Sequence, residues 1–346
     1  MYRILIKPLL FLLRADHAHQ IVLLLLRLLN RVPLLRSLVR SIYNFDHPSL
    51  GRDVFGVHFR NPVGVAAGFD VNAEVVAPMG ALGFGFVEVG AITAEPQSGV
   101  KRPRIYRLDD DRALVRSNRC PSRGWNYAID HLRRRQPGVV VGCNLSSAGG
   151  TQLDLVSRDY LKSFRNLYQY VDYFTLTIDY ENLQCSDKAS AIKSITQLLN
   201  PLFDFRRGQN DYRPILVKVT ADLNDDMINA VSNVLITTPM DGVVAVSGTR
   251  SRKGLQSSST VVNRAGNGML TGVPLRERAL EVVRMLHKKS GGGYPIIGVG
   301  GIMTADDVRA MMAAGASLVQ LYSGLVYEGP SIAGDICRGL VEEENL

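Results

Sequence analysis

From residue 62 onward, short apolar runs rich in Val and Ile alternate with longer segments whose apolar residues recur every three or four positions. The short runs are Pro62–Ala67, Phe86–Ile92, Val139–Leu145, Tyr173–Ile178, Ile215–Thr220, Gly242–Ser247, Pro295–Gly301 and Leu318–Ser323. Their length and β-branched content predict strands buried on both faces, the kind found in parallel sheets. Helix-period segments lie between most of them: Asn72–Leu82, Arg123–Arg135, Asp154–Tyr170, Lys188–Asp204, Asp225–Ile236, Pro274–Lys289 and Thr304–Ala314. Alternating strand and helix is the signature of a parallel sheet covered by helices. Eight such units favour closure, so the predicted fold class is α/β, a (β/α)8 TIM barrel. Two stretches exceed an ordinary connection: the segment between the second and third strands, and the Ser/Gly/Asn-rich run from Gly248 to Gly272. The first is expected to supply part of a site, the second a lid.

Residues 1–43 have a different pattern. Runs such as LLFLL and IVLLLLRLL, broken by Arg14, Asp16, His17 and Arg27, predict two short helices around an A-D-H-A-H segment, with a turn or kink at Pro33. The uncharged run from Ala18 to Leu26 is far below the roughly 20 residues needed to span a bilayer. No small-residue cleavage site follows an apolar core, as a signal peptide requires. The expected division is therefore a membrane-associated helical pair at 1–43 and a barrel at 44–346. The alternative for the helices is an ordinary cap packed on the barrel.

Composition narrows the partners. The chain has 346 residues, 46% hydrophobic and 21% charged, with a formal charge of +8 and a pI near 9.4. That balance suits a polyanionic partner. No zinc-finger spacing or aromatic-interleaved basic stripe points to nucleic acid. The early arginines Arg27, Arg31, Arg36 and Arg40 beside leucine-rich helices point instead to a membrane surface. A peripheral, monotopic placement is expected, on the cytoplasmic face of the inner membrane in a bacterial cell. The four cysteines, Cys120, Cys143, Cys185 and Cys337, are widely spread, so neither a disulfide framework nor a zinc site is indicated, and no metal is expected.

In a barrel, chemistry collects at the C-terminal strand ends. There the chain places Ala67-Gly68-Phe69-Asp70, Ala91-Ile92-Thr93, Asn144-Leu145-Ser146, Thr177-Ile178-Asp179-Tyr180, Lys218, Ser247-Gly248-Thr249, Gly300-Gly301 and Tyr322-Ser323. Gly298, Gly300 and Gly301, followed by Ser323 and Gly324, would let backbone N–H groups approach a phosphate after strands seven and eight. A nucleotide-like cofactor is the working expectation; two plain glycine turns are the alternative. Asn144 can donate to and accept from a heterocycle edge. Lys218 interrupts the run ILVKVT, where a charge needs a partner. It faces either an anionic ligand or reduced flavin, or a carboxylate such as Asp70 or Glu88.

Several motifs together resemble the membrane-associated, quinone-linked (class 2) dihydroorotate dehydrogenases along essentially the whole chain. They are NPVGVAAGFD at Asn61–Asp70, GFGFVEVG at Gly83–Gly90, KRPRIYRL at Lys101–Leu108, VKV at Val217–Val219, IIGVGGI at Ile296–Ile302 and AAGASLVQLYSG at Ala313–Gly324. The A-D-H-A-H start is similar to the family's quinone-tunnel helices. The resemblance implies an FMN-containing barrel with a helical pair through which a quinone reaches the flavin. It implies that Gly300, Gly301, Tyr322 and Ser323 hold the FMN phosphate. It also implies that Asn144 and Lys218 contact the ring and ribityl region, that Ala67 and Gly68 line the ring, and that Ser247 belongs to the same cofactor set.

The substrate half departs from the family pattern. The lysine expected after AAGFD is Val71, and the second-strand Thr or Ser is Ala91. The N-R-x-G-F-N segment that binds orotate has become Arg116-Ser117-Asn118-Arg119-Cys120-Pro121, and the Asn-Thr pair after strand six is Ser247-Gly248. The serine base falls on Tyr180, while Asn182 keeps its asparagine. Leaving a buried polar group of a ligand without its amide partner costs about 1–3 kcal/mol, so the motifs alone do not carry ordinary dihydroorotate oxidation. Tyr180, ordinarily a poor base, serves as an acid or as a base activated by Lys218 or Arg116. Arg116, Arg119 and Arg123 either bind a more acidic ligand or form a solvated face. Three readings follow: an FMN oxidoreductase with another donor, a true dihydroorotate:quinone oxidoreductase with a rebuilt site, or a non-catalytic flavin-binding or scaffold protein.

Overall fold

The eight apolar runs form one closed parallel barrel. In the computed structural model, which describes residues 2–117, 121–135, 138–147, 153–177 and 188–344, its strands are β1 Val63–Val65, β2 Phe86–Ile92, β3 Val140–Leu145, β4 Tyr173–Thr177, β5 Ile215–Val219, β6 Gly242–Ala245, β7 Ile296–Val299 and β8 Leu318–Leu321. They follow one another around the barrel in chain order, and Val319 of β8 closes on Val63 of β1. Helices cover the outside, burying the wide apolar core that the 3.6-residue period predicts.

Inside the barrel, glycine makes room for rings. A Cβ on Gly64 would stand 2.4 Å from the Phe86 ring, and one on Gly142 would stand 2.1 Å from that of Tyr173. These rings meet a plug from below. The antiparallel hairpin Arg52–Val54 and Val57–Phe59 sends Phe59 against Phe86, edge to face at 5.1 Å. The lower barrel is therefore apolar and sealed, and the first polar layer lies above it, at the level of Glu88 and Lys218.

Three features differ from the sequence expectation. The helix read as Asn72–Leu82 begins only at Val76, because the Asp70 carboxylate accepts the N–H groups of Glu74 and Val75 (both 2.8 Å) and holds the preceding residues in a turn. The N-terminal segment contains helices Lys7–Leu12, Ala15–Arg31 and Pro33–Tyr43, so Ala15–His19 opens a helix and Pro33 starts a third one. Proline is well placed in a first turn, where its missing N–H costs nothing. The long segment after β2 and the stretch from 248 to 272 are joined. Strands Ile105–Leu108, Ala113–Arg116 and Met269–Gly272 form a three-stranded antiparallel sheet beside the mouth. Strands of four residues leave too short an alternation to stand out in sequence.

The N-terminal helices are pinned to the barrel at specific points. Asp16 accepts the backbone N–H of Arg104 (2.9 Å), Arg107 donates to the carbonyls of Leu10, Phe11 and Leu13, and Phe11 packs edge-on against Tyr327. Their outer faces are apolar. Of the twenty large hydrophobic side chains exposed among the described residues, fifteen lie between Ile4 and Ile42. No described helix is long and apolar enough to cross a membrane.

Candidate functional site

The strands end at one mouth, and the residues assigned to a cofactor meet there. One cleft of about 180 Å³ is lined by Ala67, Gly68, Asn144, Lys218, Ser247, Gly300, Gly301, Tyr322 and Ser323, the full set assigned to a cofactor. Ala91 and Gln320 line it too. Gly300 and Gly301 have φ of +136° and +71°, and a Cβ on Gly301 would stand 2.7 Å from Cβ of Arg276. The loop after β7 thus exists only as glycine, and its backbone is open to the cleft. Ser323 opens the short helix Ser323–Glu328 directly after β8.

The polar wall is built on one carboxylate. Glu88 of β2 is fully buried and sits 3.0 Å from Nζ of Lys218, which is only 6% exposed. Of the two partners left open for Lys218, the structure shows the carboxylate: it is paired with Glu88, and the pair stands on the wall of the cleft. Asn144 is similarly engaged. Its amide donates to Glu88 (3.4 Å) and its oxygen accepts from Thr177 (2.9 Å). Burial, and then the charge of Glu88, push the Tyr173 hydroxyl well above its ordinary pKa and keep it a donor.

Arg116 is the residue whose role the sequence leaves open. It ends the central strand Ala113–Arg116, with its register fixed by Ile105 on one side and Met269 on the other. Its guanidinium donates to the carbonyl of Gly68 and to the Tyr322 hydroxyl (2.9 Å), over the Tyr322 ring. A Cβ on Gly68 would stand 2.5 Å from that guanidinium. Beyond it lies a second cavity of about 670 Å³ beneath the N-terminal helices. Asp16, His19, Phe69, Arg27, Arg104 and Glu74 contribute to its walls, and Arg116 and Ser117 line both spaces. Burial, then the charge of Arg116, lower the His19 imidazole to about 3 against an opposing hydrogen bond to the Phe69 backbone, so the ring is neutral at physiological pH. The A-D-H-A-H segment is the sequence signal for this cavity, and Val71 lies on its wall.

Other assignments fall elsewhere. Tyr180, Asn182, Asp179, Glu181, Cys185, Arg119 and Cys120 lie outside the described residues. Arg123 lines the second cavity, with its guanidinium over Tyr127. Cys143 and Cys337 are buried free thiols, and among the described residues no cluster of His, Cys, Asp and Glu is suited to a metal.

The residues present fit FMN at the phosphate end and along the ring wall. The Gly300-Gly301 backbone lines the cleft, and a Cβ on either would press on Ala279 or Arg276 of the helix Arg276–Ser290. Gln320, whose Oε1 is buried without a partner among the described residues, offers an acceptor on a wall that also carries Lys218 and Arg116.

Comparison with known proteins gives the family and the fold. The family profile described as dihydroorotate dehydrogenase matches residues 49–343. A dihydroorotate dehydrogenase (quinone) of Christiangramia forsetii is 36% identical over 343 residues, spanning 99% of this chain and 99% of that protein. One of Roseiflexus sp. is 39% identical over 337 residues, spanning 97% and 92%. Among solved structures, that of the enzyme from Eimeria tenella in complex with ferulenol superposes with a TM-score of 0.82 at 27% identity, covering 95% of this chain and 91% of that one.

Proposed function

The chain belongs to the quinone-linked class of the dihydroorotate dehydrogenase family, and on that premise we propose that it is an FMN-dependent dihydroorotate:quinone oxidoreductase working at a membrane surface. The observation that carries the reading is the convergence of all nine cofactor-assigned residues on one cleft. FMN, when bound, would supply the two-electron chemistry that links a donor to a quinone. Gly300, Gly301, Tyr322 and Ser323 would hold its phosphate through backbone and hydroxyl donors. Ala67 and Gly68 would line the ring, with Asn144 and Ser247 as polar contacts. Lys218 would place a positive charge beside it, favouring an anionic state over a neutral one. Tyr180 takes the place of the family base and Asn182 that of a substrate amide.

The second cavity is the space for a quinone. It opens between the helical segment and the barrel, and neutral His19 and Phe69 stand on its wall. The division at residue 43 follows from the same reading: residues 1–43 lie on the bilayer with their exposed leucines in the acyl boundary and Arg31, Arg36 and Arg40 towards anionic head groups, while Arg27 turns inward to Glu74, and 44–346 form the catalytic barrel. In a bacterial cell the site would be the cytoplasmic face of the inner membrane.

A second reading, an oxidoreductase with a more acidic donor, is favoured by one observation. Arg116 stands in the position of an orotate-binding asparagine, and it is held against Gly68 and Tyr322. Anaerobic titration separates the two. Bleaching of the oxidised-flavin bands by dihydroorotate, followed by recovery on adding a quinone, is the expected result. Bands that bleach only with dithionite would overturn dihydroorotate as donor and leave the second reading. A protein that takes up no FMN would overturn both.

A further inference from the structure

Five donors converge on the carboxylate of Glu88. Lys218 Nζ (3.0 Å) and Asn144 Nδ2 (3.4 Å) reach Oε1, while Gln320 Nε2 (2.7 Å), Thr175 Oγ1 (3.1 Å) and Tyr173 OH (3.4 Å) reach Oε2. A carboxylate offers about four acceptor positions, so this one is saturated and has no freedom to turn. The donors come from β3, β4, β5 and β8, so a single group on β2 ties five of the eight strands together at one level. The arrangement has a direction. Lys218, Asn144 and Gln320 line the cleft, whereas Glu88 is fully buried behind them. The positive end of the pair therefore faces the ligand and the negative end faces the sealed barrel.

A lysine this deep holds its proton only if a counter-charge compensates for its lost hydration. Glu88 is the one carboxylate within salt-bridge distance of Lys218 among the described residues. We propose that Glu88 is a positioning residue: it keeps Lys218 protonated and aimed at the cleft, and through that charge it sets how strongly the site favours the reduced over the oxidised cofactor. The inference rests on reading the cleft as an FMN site. The fixed charge of Lys218 itself does not depend on that reading, and the test has a separate arm for each.

The first arm uses the full chain freed of flavin. Cyanate carbamylates neutral amines, so Lys218 labelling at pH 7, measured by peptide mass spectrometry against exposed Lys101, reports its protonation. Glu88→Gln should label at Lys218 at least about 10-fold faster than wild type, because the unpaired buried lysine is neutral. Equal rates in a protein with a wild-type melting profile would overturn the proposal. The second arm uses the FMN-loaded protein and reads the midpoint potential. Glu88→Gln should fall towards Lys218→Met, with the reduced cofactor held about 10-fold less tightly relative to the oxidised one, a shift of about 30 mV for two electrons. In the Lys218→Met background Glu88→Gln should add nothing. A positive shift, or an equal shift in both backgrounds, would show Glu88 acting directly on the cofactor and overturn the proposal.

Glu88→Asp keeps the charge and covers the case in which Glu88→Gln does not fold. It should label slowly and stay near the wild-type potential; rapid labelling in folded Glu88→Asp would overturn the proposal as well. Failure of every variant and of wild type to take up FMN would overturn the reading of the cleft, and the cyanate arm would still decide the role of Glu88.

Discussion

The two cavities that meet at Arg116 are built on different principles. The cleft at the barrel mouth is made by strand ends. One end is glycine backbone, Lys218 on its wall is locked to the buried Glu88, and the residues it takes from the barrel strands are fixed by the parallel hydrogen-bond register. The cavity beneath the helices is made by the packing of one unit on another. Among the described residues its wall gathers Arg27, Arg102, Arg104, Arg116 and Arg123 with only Asp16 and Glu74 in return, and both carboxylates are already engaged. Precision in the first comes from the sheet, and adaptability in the second from long side chains.

That contrast can be broken most severely at Gly301. With φ at +71° and a Cβ 2.7 Å from Arg276, Gly301→Val should abolish FMN retention, with at least ~100-fold weaker uptake in a fluorescence titration, while vesicle binding is unchanged. Loss of both together would mean that the two cavities are not independent. The converse change is Leu34→Glu with Leu38→Glu on the outer face of helix Pro33–Tyr43, where both leucines are exposed. Flotation with anionic vesicles should drop by about 10-fold or more, because a charge replaces apolar surface at the interface, and FMN content should hold. Unchanged flotation would leave the helices as a cap on the barrel.

A smaller effect is expected at the junction. Arg116→Ala should reduce kcat/KM for the donor by about 10–100-fold, equivalent to about 1.5–3 kcal/mol for a charged hydrogen bond, with FMN affinity within about 3-fold of wild type. A variant with unchanged or faster turnover would place Arg116 as an obstacle to the donor.

The smallest effect is on pH dependence. His19 is held at about 3, below its ordinary 6.5, so the unfolded chain binds more protons between those values and stability must fall as pH drops from 6.5 towards 3. Asp70 has the opposite sign. Burial raises it to about 6 despite two backbone N–H bonds, so its contribution is largest below 4 and is lost as pH rises through 6. His19→Gln should therefore flatten the acid side of the stability profile in denaturant titrations from pH 7 to 4. An identical slope would show that His19 is already protonated in the folded protein.

The alternation of Val/Ile runs with helix-period segments was enough to determine the barrel, since a strand buried on both faces must be apolar throughout and each crossover must carry one apolar stripe. The glycine pair at the end of β7, Gly300-Gly301, was equally legible, because positive φ permits little else. Even Lys218 announced itself, as a charge in a run that could not bury one alone. The rest depended on groups far apart in sequence. Glu88 reads only as one of two candidate partners for Lys218 until the closed barrel brings Lys218, Gln320, Thr175 and Tyr173 onto it from 85 to 232 residues away. Arg116 reads as a replaced asparagine until a strand from the far side of the chain, Met269–Gly272, fixes its register and lays it across Gly68. Local pattern decides which elements form, because periodicity and propensity are properties of neighbours. What those elements hold between them is decided by closure, because only in the folded barrel do charges so remote in sequence share one low-dielectric space.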